Sequence, residues 1–257
     1  MLNLKKEADQ LKSESVELGS CPICNSFVSQ IYFMQDSSTK VQSKWYSCSC
    51  GVVWNTNKPK AIYDKKYWDK YDQFDEKLKD AYEYPIRIYA PIIEELIYGR
   101  KALIVGTPTR HQVSYFEERG WIVNSIDLNQ SITASPTHFC SDFEDHDFGD
   151  TRYNLIWIYQ TLECFTQPAQ SLAKCGSLLT EDGILFLGSP DTDFIHTRGS
   201  SGFIHWKPDM HYLMWNRRAI SSYLEKLGFN VILNRQNYEH RFPAWDDFHV
   251  IAQKKFF

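Results

Sequence analysis

Four cysteines crowd between positions 21 and 50, as Cys21-Pro-Ile-Cys24 and Cys48-Ser-Cys50-Gly51. Two short sulfur-bearing turns separated by strand-like sequence can supply four thiolates to a tetrahedral zinc ion. Four protein ligands close such a site, so the metal would be structural, and a hairpin module with so little apolar material would need it to stay folded. The second pair is one residue tighter than the usual CxxC, and four reduced, unrelated thiols is the competing reading. Cys140, Cys164 and Cys175 fall on expected strand or helix faces and read as core residues.

A second group of residues is acidic and follows apolar runs. Asp127, followed by Leu128, closes WIVNSIDLN, about twenty residues beyond the turn at Gly106. A carboxylate there can accept hydrogen bonds from both hydroxyls of a ribose. Asp142-Phe143 follows the next run, where a carboxylate beside a ring could take an adenine amino group and stack on its face. Either aspartate alone is equally a turn former; their order and spacing together point to a nucleoside. Tyr159 and Ser189 end the two apolar runs that come after.

The loop that would hold the rest of such a ligand is atypical. In ALIVGTPTRHQ a buried-strand pattern reaches Gly106, and Pro108 and Arg110 stand where further glycines would allow a close backbone approach. Thr107 suits an N-cap and Pro108 a first helical position, so a helix is expected directly after Gly106. Arg110 then lies in the first turn. Its guanidinium would grip a carboxylate at the helix N-terminus, or it would fill the space such a ligand needs.

The elements that must position these groups follow from periodicity. Apolar runs at 101–106, 121–127, 137–140, 153–159 and 183–188 alternate with helical pieces at 108–119 and 168–179, which predicts βαβ units and a parallel sheet. NRRAISSYLEKLG reads as a helix capped by Asn216 and ended by Gly228. FNVILNRQ and FHVIAQKK then follow with no helix between them, which predicts an antiparallel hairpin at the sheet's edge. The expected organisation is a polar segment over 1–18, a zinc-ribbon-like module over 19–58, a helical lid or linker over 59–100, and the main α/β domain over 101–257. Within 59–100, Tyr63, Tyr67 and Tyr71 share one helical face.

With 43% apolar and 23% charged residues over 257 positions, the composition is that of a globular protein. A net charge of -4 gives no electrostatic footprint for nucleic acid or an anionic membrane. MLNLKKEADQLKSESVELGS has no apolar h-region and no stretch is long enough to span a bilayer, so a cytoplasmic location and reduced cysteines are expected.

In the order and spacing of KALIVGT…EERGWIVNSIDLN, CSDFED, YNLIWIYQTLECFTQPAQSLAKCGSLLTEDGILFLGSP and HWKPDMHYLMWNRRAISSYLEKLGFNVI, residues 20 to 255 resemble the class I S-adenosylmethionine-dependent methyltransferases, in the branch with an N-terminal cysteine knuckle. Of the family's Leu-Glu-His pattern, Leu162-Glu163 is kept and Cys164 replaces the histidine; Gln167-Pro168 replaces Asp-Pro, and Glu181-Asp182-Gly183 replaces Pro-Gly-Gly. The resemblance implies a Rossmann-like sheet of seven strands, five parallel plus the terminal antiparallel pair. It also implies transfer of a sulfonium methyl to a small molecule, a sugar or sugar nucleotide being suggested by the branch. Cofactor contacts would fall on Gly106, Thr107, Arg110, Asp127, Leu128, Asp142, Phe143 and Tyr159, with Tyr67, Tyr71 and Arg87 in a lid. His211, and next to it His205, would face the acceptor. Zinc would sit on Cys21, Cys24, Cys48 and Cys50. The altered glycine loop supports an alternative, a fold that has lost its cofactor and serves as a binding or scaffolding subunit. A nicotinamide enzyme is the third reading, opposed by the hairpin and the missing dinucleotide glycines.

Overall fold

The structure, a computed structural model, describes residues 20–36, 39–57, 75–106, 111–128, 137–236 and 246–255. Tyr67, Tyr71, Thr107, Pro108 and Arg110 therefore lie outside the described residues. The main sheet contains β4 (Lys101–Val105), β5 (Ile122–Asp127), β6 (His138–Cys140), β7 (Tyr153–Tyr159), β8 (Leu179–Pro190), β10 (Phe229–Gln236) and β11 (Asp247–Lys254). Its order is β10-β11-β8-β7-β4-β5-β6. Strands β4 to β8 run parallel, while β11 pairs antiparallel with both β8 and β10. This is the seven-stranded arrangement expected from the sequence. From β4 the chain first builds outward through β5 and β6, then crosses back to β7, so the switch point lies between β4 and β7.

Central strands buried on both faces need continuous apolar sequence, and Ala102-Leu103-Ile104-Val105 supplies it. Because successive side chains point to opposite faces, the core divides in two. Leu103, Val105, Ile156 and Ile158 face a layer formed by helices α3 (Pro168–Leu178) and α5 (Arg217–Lys226) through Leu172, Cys175, Ile220 and Leu224. Ala102, Ile104, Leu155 and Trp157 face α1 (Asp75–Leu96) and α2 (His111–Glu118) through Ile86, Ala90, Ile93 and Phe116. Residues 82–97, read from sequence as part of a lid or linker, are thus largely a sheet-covering helix. Trp157 and Phe186 stack across β7 and β8 with ring centroids 3.6 Å apart, a contact worth about 0.5–1.5 kcal/mol beyond burial.

The N-terminal cysteine segment forms β1 (Gln30–Gln35), β2 (Gln42–Ser47) and β3 (Val53–Asn55). Strand β9 (Leu213–Met214), from the connection between β8 and α5, completes this second sheet by pairing Val53 with Met214 and Trp54 with Leu213. Trp45, Val53, Phe194, Ile195, Phe203, Trp206 and Met214 share one core between the module and that connection, which includes α4 (Asp193–Arg198). Gly51 is the hinge of the join. Its φ is +102°, and the amide of Asn216 fills the space a Cβ would need. Asn216 in turn caps α5 by accepting from the Ala219 N–H at 2.8 Å, as its sequence position predicts. No helix among the described residues is long and apolar enough to cross a membrane.

Candidate functional site

The carboxyl ends of β4, β5, β7 and β8 meet at one edge of the main sheet, where an open α/β sheet binds its ligand. Gly106 sits there at φ +74°, a conformation that costs other residues dearly. Its N–H donates to the Ile126 carbonyl at 2.9 Å, and the Thr161 side chain occupies the place of a Cβ. The Thr161 hydroxyl donates to the Tyr159 carbonyl at 3.1 Å. The tip of β4 is thus bonded to β5, while Thr161, just beyond β7, packs directly against Gly106.

Asp127 ends β5 half-buried, with Leu128 partly exposed beside it. The Ser141 N–H donates to the Asp127 carbonyl, which sets the spacing to the next loop. There Asp142 accepts from the Glu144 N–H at 2.8 Å, and burial raises its carboxyl above the ordinary range. Glu144 fastens the loop to the start of α3: its carboxylate accepts from the Thr166 and Gln167 N–H groups and from the Thr166 and Ser171 hydroxyls, at 2.7 to 2.9 Å. A carboxylate at a helix N-terminus is favoured by the unpaired amides and the dipole. Lys174 closes the clamp from the other side, donating to the carbonyls of Phe143, Glu144 and His146. Phe143 turns inward and stacks on Phe165 at 5.6 Å, so its ring packs in the core beside the loop.

Tyr159 is buried, donates to Asp247 Oδ2 at 3.2 Å, and meets Tyr82 edge-on. Burial pushes its phenol well above the ordinary value. Asp247, the first residue of β11, is fully buried, and desolvation raises its carboxyl to about 8. Gln160 follows Tyr159 with φ +54°, an uncommon conformation for a side chain of this size. Its N–H donates to the Gly188 carbonyl at 2.8 Å.

His205 and His211 lie within the same region, stacked at 6.2 Å. His211 is buried, and its Nδ1 lies 2.9 Å from the His205 carbonyl. A carbonyl only accepts, so Nδ1 carries the proton and Nε2 presents a lone pair. Burial holds His211 down at about 3 and His205 well below its ordinary value, so both rings are neutral. Glu163 stands opposite His211, with Oε2 accepting from the buried Ser189 hydroxyl at 2.8 Å. Arg87 is exposed on α1 and pairs with Glu83 at 2.9 Å.

In the cysteine module, the Cys21–Cys50 and Cys24–Cys48 sulfurs are 3.8 and 3.3 Å apart, and all four lie within 4.8 Å of one another. Zinc–sulfur bonds of about 2.3 Å span tetrahedral edges of about 3.8 Å. The Ile23 and Cys50 N–H groups lie 3.5 Å from Cys21 Sγ and Cys48 Sγ, as turns wrapped round thiolates do. Hydrogen bonding from Cys50 lowers Cys21 to about 5, and the Cys50 thiol is driven up in return.

Sequence reasoning put Tyr159 and Ser189 at strand ends but missed Thr161, Glu144 and Asp247. The Asp246-Asp247 pair directly before an apolar strand was the available signal for the last of these. Glu163 was visible as the retained acid of the Leu-Glu pattern. Cys140, expected in the core, is exposed because β6 is an edge strand.

A sequence-family model described as a methyltransferase domain matches residues 74–234. No functionally curated protein matches the sequence. Among solved structures, the plantazolicin methyltransferase BpumL in complex with SAH is similar with a TM-score of 0.58 at 11% identity, over 76% of this chain and 91% of that one. The Burkholderia thailandensis 1,6-didemethyltoxoflavin-N1-methyltransferase, solved with 1,6-didemethyltoxoflavin and S-adenosylhomocysteine, gives 0.55 at 15% identity, over 87% of this chain and 100% of that one. An S-adenosylmethionine-dependent methyltransferase from Clostridium acetobutylicum gives 0.51 at 9% identity, over 72% of this chain and 99% of that one.

Proposed function

The chain belongs to the methyltransferase domain family, and from that premise we propose that it transfers the sulfonium methyl of S-adenosylmethionine to a small-molecule acceptor, with a sugar or sugar nucleotide as the favoured class. The observation that carries this reading is the succession of Gly106, Asp127 and Asp142 at the carboxyl ends of β4, β5 and β6, next to the switch point. The donor set fits the cofactor: Asp127 would accept from the ribose hydroxyls and Asp142 from the adenine amino group, in a loop that Glu144 and Lys174 hold in place before any ligand arrives. Thr107 and Arg110 would meet the methionine carboxylate, with Tyr67, Tyr71 and Arg87 on the lid side. His211 and His205 stand on the acceptor side, between β8 and α5.

When bound, the cofactor supplies an electrophilic methyl group. The fold's part is to orient an acceptor in line with it and to exclude water. Zinc on Cys21, Cys24, Cys48 and Cys50 would fasten the second sheet, whose last strand, β9, comes from the same connection as His205 and His211. The metal thus supports the acceptor side without joining the chemistry.

Calorimetric titration with S-adenosylmethionine and S-adenosylhomocysteine tests the proposal, with Asp127→Ala as the control. Saturable binding to wild type that the variant loses is expected. Absence of binding at millimolar ligand would leave the non-enzymatic scaffold reading in its place.

A further inference from the structure

A second group of metal-ligating atoms lies outside the cysteine module. Glu163 and Cys164, in the short 3-10 turn Leu162–Cys164 after β7, face His211, and a carboxylate oxygen, the thiol sulfur and an imidazole nitrogen all lie within 4.8 Å of one another. Glu163 Oε1 and His211 Nε2 are 3.9 Å apart. That is too wide for a hydrogen bond, so no proton bridges the two directly. A carboxylate oxygen and the Nε2 lone pair thus confront each other on two residues only 1 and 2% exposed, with the half-buried Cys164 beside them. Such an arrangement is costly unless a cation lies between them. Burial raises the Glu163 carboxyl to about 7, an effect that the Ser189 hydroxyl and the charge of Lys207 offset only in part.

We propose that Glu163, Cys164 and His211 bind a divalent ion of zinc type, separate from the four-cysteine cluster, with one coordination position left open. One oxygen, one nitrogen and one sulfur donor suit zinc better than magnesium or calcium. Two zinc ligands of the oxygen and nitrogen kind sit about 3.3 Å apart on a tetrahedron, so only a small closure of the 3.9 Å gap is needed. The outer contacts are already those of a metal site. The His205 carbonyl fixes the His211 ring with Nε2 forward, and the Ser189 hydroxyl holds the second oxygen of Glu163. The Tyr212 N–H, donating to the Glu163 carbonyl at 2.7 Å, ties the two ligand segments together. With three protein ligands, the fourth position takes water or an oxygen or sulfur atom of the acceptor; this last assignment rests on the methyltransferase reading.

Metal content of the purified full-length protein, grown with zinc and desalted, tests the site. Wild type should carry about two zinc ions per chain. Cys164→Ser and Glu163→Gln should each carry one fewer, with unchanged near-ultraviolet circular dichroism. Protein grown with cobalt should lose the thiolate-to-cobalt absorption of one sulfur in Cys164→Ser, a readout independent of stoichiometry. A wild type with one ion or none, if Cys164→Ser leaves both content and cobalt spectrum unchanged, overturns the proposal, as does a pair of ions that both variants retain. S-adenosylhomocysteine binding on the same samples separates the two ideas. Loss of metal in Cys164→Ser while wild type fails to bind this ligand would sink the methyl-transfer reading and leave the metal site standing.

Discussion

Gly106 is the point where backbone conformation and packing can be separated by measurement. Gly106→Ala would place a side chain at φ +74°, which costs roughly 1–2 kcal/mol for an L-residue. The new methyl would also collide with the Thr161 side chain, and overpacking of this kind typically adds about 1–3 kcal/mol. The total expected loss is about 2–5 kcal/mol. Thr161→Ala alone gives up the hydroxyl's bond to the Tyr159 carbonyl, worth about 1 kcal/mol. In the double variant the clashes with Thr161 Oγ1 and Cγ2 are gone, while the tight approach to the Cβ of residue 161 and the conformational cost remain. The two losses should therefore fall short of additivity by about 1–3 kcal/mol in urea unfolding monitored by fluorescence and circular dichroism. Additivity within about 0.5 kcal/mol would refute the close approach of β7 to the tip of β4.

Three further outcomes follow from other contacts. Glu144→Ala removes four hydrogen bonds at the start of α3; stability should fall by about 2–4 kcal/mol and cofactor affinity should weaken through the loosened Asp142, and unchanged affinity in a destabilised variant would show the clamp to be structural alone. Asp247 is raised by burial to about 8 in the fold, against roughly 3.9 in the unfolded chain, so the folded state retains a proton that the unfolded state releases. Its contribution to stability is complete below about pH 4 and is lost as pH rises through about 8, with a slope near 1.4 kcal/mol per unit. Asp247→Asn should flatten that slope in urea melts at several pH values, and an unchanged slope would contradict the protonated carboxyl. Finally, chelator treatment or Cys24→Ser should melt the β1-β2-β3-β9 sheet before the main sheet, seen as early loss of the near-ultraviolet signal of Trp45 and Trp54; a single transition at the wild-type midpoint would argue against a metal-dependent module.

Much of the main sheet was legible because period and hydrophobicity leave few choices. Each of the five apolar runs became a parallel strand, and the hairpin after Gly228 fell where the absence of a helix required it. Asn216 was readable as a cap because N-cap chemistry is local. The second sheet was not legible in full. Strand β9 has two residues and is specified by pairing with Val53 and Trp54, far away in sequence. Nor could periodicity show that residues 82–97 cover the sheet, since an apolar helix face does not name what it packs against. At the site, strand-end acids were visible through spacing, whereas Asp247 reaches Tyr159 only through the strand order of the folded sheet.

A crystal structure of the protein with S-adenosylhomocysteine would show where the cofactor sits. The ribose hydroxyls are expected on the Asp127 carboxylate, the adenine beside Asp142, and the sulfur pointing across Gly106 toward Glu163 and His211. Ligand bound elsewhere, or an Asp127 carboxylate left facing solvent with the ligand present at saturating concentration, would contradict this placement.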